Sequence, residues 1–382
     1  MHLVDDFDPQ SGFFYGTSTR SLLANGSSIV LPGRGRLAPH RAETILSALG
    51  PGQILVGAVP FDDTSPAHLV IPERHQWGPA LPGSDETLEP QSVKYAHEPT
   101  REHYLSAVAS AMERIEQGPM SKVVIARSIR VELPEKVDIP RLLRTLRHRQ
   151  NSGFVFGCSL PGGKTLVGGS PELLVSRNGN TVTAYPLAGS RPRSLDETVN
   201  RRHRDDLLGS DKDRREHALV VDHIARALQP YCSTLTAPSA PHIVTTANML
   251  HLGTRITGTL DTPLPSALSL ASALHPTPAV GGTPTGDATR TIKSLEGFSR
   301  DFYAGMVGWC DSSGDGQWAV TIRCTELSDE SARLFAGAGV VRGSTPGSEL
   351  AETDAKLATM LSALGFKLEK ENSERHLHTV AR

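Results

Sequence analysis

Two glycine turns within residues 153–189 restrict the fold more strongly than any other feature of this sequence. The first turn, Pro161-Gly162-Gly163, joins the extended segments GFVFGCSL and KTLVGGSPELLVSR, and the second lies at Asn178-Gly179. Turns this short connect antiparallel neighbours, because parallel strands need a crossover of a dozen or more residues. The region therefore predicts an antiparallel meander.

Helical and extended patterns elsewhere occur in blocks, without a strict alternation of one strand and one helix. Helices are predicted over 39–50, 100–118, 195–230, 266–274, 290–306 and 348–365. Extended segments are predicted over 122–133, 242–260, 316–327 and 332–341. Residues 76–98, rich in Pro, Gly and charge, predict a long loop. This arrangement is typical of the α+β class with mostly antiparallel sheets.

Length, charge and cysteine spacing exclude several classes of protein. The 382 residues suffice for one large domain or two ordinary ones. The formal net charge is −2 and there is no long basic run, so nucleic-acid binding is not expected. No apolar run reaches the ~18 residues of a membrane span, and the acidic start lacks a secretory signal, so a cytoplasmic location is expected. Disulfides and structural zinc are disfavoured by the wide spacing of Cys158, Cys232, Cys310 and Cys324.

Acidic residues at helical spacing occur in two separate segments. Glu349, Glu352 and Lys356 in SELAETDAKL share one helical face, as do Asp213 and Glu216 in KDRREHALVVDH. One interpretation is a solvated surface, where a Glu–Lys pair is worth a few tenths of a kcal/mol. The other is that carboxylates from two helices converge on Mg²⁺, which takes a few hard oxygen ligands together with water and substrate. The spacing alone leaves both interpretations open.

Three further residues are candidates for the site, and each also has an ordinary structural interpretation. Lys122 begins a β-branched strand, where a lysine is commonly a solubilising edge residue. Glu172 lies between Pro171 and an apolar strand, so it either faces water or is a partly desolvated carboxyl suited to act as a general acid. Arg323 is predicted on the polar face of the strand VTIRCTEL, where its fork of donors suits either a ligand carboxylate or a structural ion pair.

The glycine-rich segment GAGVVRG, residues 337–343, has the composition of a nucleotide-binding loop. It does not match the dinucleotide fingerprint, because Arg342 takes the place of the third glycine and no helix is predicted to start directly after it. Its backbone N–H groups remain candidates for binding a small anion such as a carboxylate.

Together these segments resemble the chorismate-utilising enzymes, which include isochorismate, salicylate, anthranilate and aminodeoxychorismate synthases. The resemblance keeps the family's order and spacing from about residue 100 to 360, and residues 1–95 match less well. It is strongest towards the isochorismate synthases of catecholate siderophore pathways. It rests on the segments KVVIARS, GGSPELL, PLAGSRPR, KDRREH, LHPTPAVGG, FYAGMVGW, VTIRC, FAGAGVV and SELAETDAKL.

The resemblance implies a magnesium site and a set of substrate contacts. In the family, glutamates matching Glu216 and Glu352 hold Mg²⁺ on the ring carboxylate of chorismate, and the position of Glu349 assists. Residues matching Tyr303 and Arg323 bind the enolpyruvyl carboxylate. The resemblance also assigns substrate contacts to Gly189, Ser190, His251, Ala279, Gly337, Gly339 and Lys356.

The implied reaction moves a hydroxyl group around the ring of chorismate. Water attacks C2, the ring double bonds shift, and the C4 hydroxyl leaves. Lys122 matches the family's base for the attacking water, and Glu172 matches its acid for the departing hydroxyl. A lysine must lose its proton before it can act as a base, and desolvation and a nearby cation favour that loss.

Two positions distinguish between members of the family. Synthases that use ammonia generally lack a lysine at the position of Lys122, and salicylate synthases tend to have threonine where HPTPAVGG has Ala279. These features favour an isochorismate synthase, which is an isomerase. A salicylate synthase that also eliminates pyruvate, and a menaquinone-pathway isochorismate synthase, remain the alternatives. A binding protein without turnover is disfavoured because the acid, base and metal positions are all filled.

We therefore predict one catalytic domain over residues 1–366, with mostly antiparallel sheets packed together and helices outside. A polar, flexible tail is predicted over residues 367–382. The expected ligands are chorismate and Mg²⁺. A glutaminase subunit is not expected, because no glutaminase domain is fused to the chain, and the protein is predicted to be a monomer. The choice of Val280-Gly281 in HPTPAVGG has no explanation from the sequence.

Overall fold

The computed structural model describes residues 2–27, 29–31, 39–62, 65–84, 89–150, 152–246 and 248–368. The α-helices in this part of the chain are α1 (Pro39–Leu46), α2 (Arg101–Gln117), α3 (Ile139–Arg149), α4 (Glu197–Gly209), α5 (Asp211–Leu228), α6 (Ala267–Leu274), α7 (Thr285–Leu295) and α8 (Pro346–Ala363). Short 3-10 helices cover Leu3–Asp6 and Gln229–Tyr231.

The first strands, up to the second hairpin turn, are β1 (Phe13–Gly16), β2 (Arg20–Asn25), β3 (Ile29–Leu31), β4 (Ile54–Val59), β5 (His68–Ile71), β6 (Arg74–Pro79), β7 (Gln91–Val93), β8 (Tyr95–Glu98), β9 (Lys122–Glu132), β10 (Phe154–Leu160), β11 (Lys164–Ser170) and β12 (Leu173–Asn178). The later strands are β13 (Thr181–Tyr185), β14 (Leu187–Pro192), β15 (Cys232–Thr236), β16 (His242–Thr245), β17 (Met249–Gly253), β18 (Ile256–Leu260), β19 (Gly282–Thr283), β20 (Met306–Asp311), β21 (Gly316–Val320), β22 (Cys324–Leu327), β23 (Ser331–Val341) and β24 (Phe366–Leu368).

Most strands belong to two large antiparallel sheets. One has ten strands, in the order β19-β9-β23-β22-β11-β10-β1-β2-β6, with β8 also paired to β9. The other has nine, in the order β15-β18-β13-β12-β21-β20-β4-β5-β3. A small antiparallel sheet contains β14, β17 and β16, and a parallel pair joins β24 to β7. The predicted α+β class with mostly antiparallel sheets is confirmed.

One hydrophobic cluster joins the two large sheets. It includes the buried Tyr15 and Phe156 from the ten-stranded sheet and Leu55 and Trp318 from the nine-stranded sheet. Helix α6 adds an almost fully buried apolar face beside β12 and β21. A second cluster lies between the ten-stranded sheet and helices α3 and α8. The sheets therefore pack on each other, and most helices cover their outer surfaces.

Two of the points at which the chain passes between the large sheets lie next to each other. The hairpin turns lie where the sequence predicts them, but the continuous meander is wrong, because β11 and β12 belong to different sheets and the chain crosses at Glu172. Pro171 precedes the crossing and cannot donate a ladder hydrogen bond. The return crossing lies between β21 and β22, next to Arg323. Backbone bonds join the crossings, from Gly169 N to Arg323 O (3.0 Å) and from Val320 N to Glu172 O (3.2 Å).

The prediction that Arg323 lies on the polar face of a continuous strand is wrong. Strand β21 ends at Val320 and β22 begins at Cys324, because the chain changes sheets between them. Arg323 has a φ of 52°, in the left-handed region that non-glycine residues seldom adopt. Such a conformation persists only where the surrounding structure holds it, and it is often found at functional sites.

Two other predicted segments differ from the structure. The predicted loop over 76–98 contains most of β6 and all of β7 and β8, since pairing with β2, β24 and β9 outweighs its loop-like composition. The predicted helix over 290–306 ends at Leu295. Gly297 follows with a φ of 71°, the conformation that commonly terminates a helix, and turns continue to β20.

Helices α5 and α8, which carry the predicted acidic residues, begin at capped positions. The Ser210 hydroxyl accepts a hydrogen bond from the Asp213 N–H (3.2 Å), which separates α4 from α5 within the segment predicted as one helix. The Thr345 hydroxyl accepts one from the Ser348 N–H (3.3 Å), and Pro346 occupies the first helical position, which suits its fixed φ.

Three further predictions concern the C-terminal tail, membrane-spanning helices and the cysteines. Strand β24 includes Lys367 and Leu368, the first two residues of the predicted tail, while 369–382 lie outside the described residues. None of the helices in the described ranges is long and apolar enough to cross a membrane. The four cysteines are buried free thiols.

Candidate active site

A buried ion pair between Lys122 and Glu216 lies at the centre of the candidate site. Lys122 is the first residue of β9 and is only 1% exposed, and its Nζ lies 2.9 Å from Oε1 of Glu216 on α5. Because an unpaired buried charge costs several kcal/mol, such a lysine needs a carboxylate partner. The interpretation of Lys122 as an exposed edge residue is therefore excluded.

Two glycines of β23 leave room for this pair. A Cβ added at Gly339 would overlap Oε1 of Glu216 and would lie 3.1 Å from Cε of Lys122. A Cβ added at Gly337 would lie 2.9 Å from Oη of Tyr303. Residues two apart on a strand point to the same face. The bare backbone of β23 therefore forms the floor of the site.

Lys356 connects helix α8 to this floor. Its Nζ donates to the Gly337 carbonyl at 2.8 Å and lies 2.5 Å from Oε1 of Glu352. Burial alone would raise the pKa of Glu352, but the Lys356 ammonium, assisted by Lys212 and Arg323, holds it below its usual value. Glu352 is therefore ionised at neutral pH, and its pair with Lys356 is partly buried beside the floor of the site.

Glu172, at the crossing between β11 and β12, forms no salt bridge with any described residue. It is 3% exposed, and burial raises its pKa to about 8 even though Lys122, Arg323 and Lys356 act in the opposite direction. The carboxyl group therefore retains its proton at neutral pH. Its electrostatic coupling to these three cations shows that it lies in the same part of the molecule.

Ser190 on β14 and His251 on β17 lie opposite each other in the small sheet. The Ser190 Oγ is 2.8 Å from Nδ1 of His251. Burial, with the nearby charges of Arg323 and Lys356, lowers the pKa of His251 well below its usual range, so the imidazole is neutral. Its Nε2 has no hydrogen-bond partner in the described part of the chain and is available to a ligand.

Arg323 and Tyr303 lie near each other in the candidate site. The Tyr303 ring is buried and stacks on Phe335, with 5.1 Å between ring centroids. Arg323 is electrostatically coupled to Tyr303, Glu352 and Glu172, but it forms no salt bridge with a described carboxylate. Burial of this charge lowers the pKa of Arg323 from its usual value. An anionic ligand is the partner that would offset the cost of burying it.

Glu349 completes a set of three glutamates that are each paired with a lysine. It is 2% exposed, and its Oε1 lies 3.3 Å from Nζ of Lys212 on α5. Burial raises the pKa of Glu349, the neighbouring Glu352 adds to the effect, and Lys212 opposes it. Lys212 is not among the residues predicted from the sequence, although its spacing of four residues from Glu216 is the signal for a residue on the same helical face.

The predicted magnesium site stays a prediction. The donor chemistry of the glutamates fits Mg²⁺, but their side chains do not form a preformed cage. No group of three or more His, Cys, Asp or Glu side chains in the described ranges is arranged to hold a metal ion. Glu216, Glu349 and Glu352 nevertheless present hard oxygen donors from two helices. A divalent cation would relieve the repulsion that raises the pKa of Glu349, and Mg²⁺ needs only one or two carboxylates when substrate and water complete its shell.

Ala279 belongs to a loop that docks against β9. The Gly281 carbonyl accepts a hydrogen bond from the Val124 N–H at 2.8 Å, and Thr283 lies opposite Lys122 in the strand pair β19–β9. The loop thereby brings Ala279 towards the site. Val280 is 5% exposed and packs in the main core, which explains an apolar residue at this position.

Asp213 and His217, which flank Glu216 on α5, support the small sheet. Asp213 accepts a hydrogen bond from Nη2 of Arg191 at 2.7 Å and packs against Gly189, so it does not extend the acidic set. Nε2 of His217 lies 2.7 Å from the hydroxyl of Thr254. Burial, with the charge of Lys122 nearby, lowers the pKa of His217 to about 4. His217, Thr254 and Arg191 could not be predicted from the sequence, because their partners are distant in sequence.

The assembled site combines a protonated carboxyl, a buried lysine and a cation without a carboxylate partner among the described residues. Glu172 holds a proton at neutral pH, Lys122 is paired with Glu216, and Arg323 forms no salt bridge in the described part of the chain. A neutral acid and an amine in one buried site are typical of general acid–base catalysis.

Comparison with known proteins identifies relatives along almost the whole chain. A family model described as chorismate binding enzyme matches residues 63–365. The chain is 44% identical to isochorismate synthase DhbC of Bacillus subtilis (strain 168), covering 95% of this chain and 96% of that protein. It is 39% identical to the vibriobactin-specific isochorismate synthase of Vibrio cholerae, covering 96% and 95%. The crystal structure of DhbC from Bacillus anthracis matches with a TM-score of 0.90 and 43% identity, covering 96% of this chain and 99% of that one.

Gly339→Ala tests whether the floor of β23 must be bare. The new methyl group would overlap the Glu216 carboxylate and crowd Lys122, so we expect the free energy of unfolding to fall by about 1–3 kcal/mol, the usual cost of overpacking. Urea denaturation measures the change. Gly347→Ala on α8, where an added Cβ meets nothing within 4 Å, is the matched control and should not destabilise the protein. Equal stability of both variants would contradict this packing.

Proposed function

The chain belongs to the chorismate-binding enzyme family, and from this membership we propose that it is an isochorismate synthase, an isomerase that converts chorismate to isochorismate. The observation that carries the proposal is Glu172, whose raised pKa of about 8 keeps a proton close to Lys122. The named activity of the B. subtilis and V. cholerae relatives supports the same reaction. Because one of them is vibriobactin-specific, supply of a siderophore pathway is the proposed use of the product.

The reaction needs one proton acceptor and one proton donor. A water molecule adds to C2 of chorismate and loses a proton, the ring double bonds shift, and the C4 hydroxyl gains a proton and leaves as water. Atoms balance, because one water is added and one is lost. Lys122 is the proposed acceptor and Glu172 the proposed donor, and each such group typically contributes 10²–10⁴-fold to the rate.

Lys122 forms an ion pair with Glu216, with 2.9 Å between Nζ and Oε1. The proposed role of Lys122 as proton acceptor therefore requires that this pair separate during the reaction. Glu216 and Glu352, with Glu349 nearby, would hold Mg²⁺, which would supply positive charge for the ring carboxylate of chorismate.

The remaining residues of the site bind and orient the substrate. Arg323 and Tyr303 would receive the enolpyruvyl carboxylate, together with the backbone of residues 337–339. Lys356 would add positive charge beside the ring carboxylate. The neutral imidazole of His251 and its partner Ser190 would line the ring, next to Gly189.

A salicylate synthase, which would also eliminate pyruvate, is the second candidate. Ala279 argues against it, because salicylate synthases tend to carry threonine at the matching position. A menaquinone pathway is the alternative use of the product. We further propose that the protein acts in the cytoplasm, as a monomer and without a glutaminase subunit, since no step of the reaction needs ammonia.

Incubation with chorismate tests the proposed activity directly. We expect chromatography to detect isochorismate when Mg²⁺ is present and none after full chelation. Glu216→Ala and Glu352→Ala should abolish turnover without unfolding the chain, because each removes a proposed carboxylate ligand. Glu330→Ala, at an exposed position, is the matched control and should leave turnover unchanged. Full turnover in the presence of excess chelator would overturn the metal assignment.

Lys122→Ala and Glu172→Gln separate the proposed base from the proposed acid. Each should lower kcat by at least about 10²-fold, or roughly 3 kcal/mol of transition-state stabilisation, while chorismate binding changes far less. Glu172 acts in its protonated form, so wild-type kcat should fall as pH rises through about 8. The residual rate of Glu172→Gln should lack this fall. A folded Lys122→Ala enzyme within about threefold of wild type would mean that another group is the base.

Ala279→Thr tests which product the pocket favours. If the small side chain disfavours elimination, wild type should release little pyruvate, and the threonine variant should release a larger fraction of its product as pyruvate. Coupled detection of pyruvate alongside isochorismate measures the ratio. A wild-type enzyme that makes mainly salicylate near neutral pH would support the second candidate instead.

A further inference from the structure

A second buried ion pair, between Glu296 and Arg300, lies behind the site and is not used in the reaction described above. Both residues are 2% exposed. The guanidinium group binds the carboxylate with two of its nitrogens: Nε donates to Oε2 at 2.8 Å, and Nη2 donates to Oε1. A paired charge this deep inside a protein seldom adds net stability, so its presence calls for another reason.

The pair fills a gap along one edge of β9. Strand β19 pairs with the first two residues of β9, and β8 pairs with residues 128–131, which leaves the edge between them without a strand partner. Within this gap, Oε1 of Glu296 accepts from the Ala126 N–H at 2.7 Å, and Nη2 of Arg300 donates to the Val124 carbonyl at 2.8 Å. Two side chains thus take the role of a strand beside the segment that follows Lys122.

The same guanidinium group reaches two other parts of the site. Nη1 of Arg300 donates to the Val280 carbonyl at 2.7 Å, next to Ala279. Its central carbon lies 4.2 Å from the ring centroid of Phe61 and 5.9 Å from that of Tyr303. Arg300 therefore forms hydrogen bonds with the strand that carries Lys122 and with the loop that carries Ala279, and it lies near the ring of Tyr303.

We propose that Arg300, oriented by Glu296, is a positioning residue that holds the base-bearing strand and the Ala279 loop at a fixed separation during the reaction. The inference rests on the proposed function, since it assigns the pair a role for Lys122. The planar fork of arginine can bind one carboxylate and two carbonyls at once, whereas a lysine ammonium on a flexible stem cannot reproduce that geometry. A misplacement of about 1 Å in an active site can cost as much as 10²-fold in rate.

Arg177 provides a matched control in the other sheet. It is also buried, donates to two carbonyls, those of Gly179 (2.8 Å) and Pro265 (3.1 Å), and pairs with Asp315 at 3.3 Å. None of these partners belongs to the site. Arg177→Lys should therefore lower thermal stability while leaving kcat within about twofold of wild type, because lysine loses the same fork without moving Lys122.

The test is to measure kcat, KM for chorismate and thermal unfolding for Arg300→Lys and Arg177→Lys beside wild type. We expect Arg300→Lys to lose about tenfold or more in kcat with less than about threefold change in KM, because Arg323 and the floor of β23 still bind the substrate. An Arg300→Lys enzyme that, like Arg177→Lys, loses stability but keeps kcat within about twofold of wild type would overturn the inference.

Glu296→Asp keeps the inference testable if Arg300→Lys does not fold. It retains the charge but shortens the side chain, so it cannot reach both Ala126 and Arg300, and its kcat should also fall by about tenfold. A folded Glu296→Asp enzyme with wild-type kcat would equally overturn the inference. A wild-type enzyme that forms no isochorismate would instead refute the proposed function, so the two failures are distinguishable.

Discussion

The site depends on the two adjacent crossings between the large sheets. Glu172 and Arg323 lie at these crossings, tied by the backbone bonds from Val320 to Glu172 and from Gly169 to Arg323. Glu172 is taken out of water at one crossing and Arg323 is partly buried at the other, although neither has a salt-bridge partner of its own among the described residues. The topology of the sheets therefore creates the electrostatic conditions that a proton donor and an anion-binding cation require.

The other charges of the site are compensated in pairs. Lys122, Lys212 and Lys356 bind Glu216, Glu349 and Glu352, and these pairs connect β9, α5 and α8 across the bare floor of β23. Glu172 is the carboxyl left outside this pairing, which is why burial dominates its pKa and keeps it protonated. These ion pairs hold three carboxylates next to lysines, whereas Glu172 is the neutral acid beside them.

The sequence predicts the parts of this arrangement that depend on local patterns. Gly162-Gly163 and Asn178-Gly179 form the hairpins that their turn chemistry indicates, and α5 and α8 present acidic residues at helical spacing. The crossings were not predictable in this way, because VTIRCTEL alternates like an unbroken strand and nothing local indicates the positive φ of Arg323. The roles of Lys212 and Arg300 also require partners that only the tertiary structure identifies.

Burial keeps Glu172 protonated at neutral pH, and its protonation state can be measured without turnover. Difference infrared spectroscopy of wild type against Glu172→Gln, titrated from about pH 4 to about pH 10, reports the carboxyl and carboxylate bands of this one residue. Because burial raises the pKa of Glu172, we expect a protonated carboxyl at pH 7 that titrates near pH 8. A carboxylate band already complete at pH 7, with a midpoint near the ordinary value of 4.5, would contradict it.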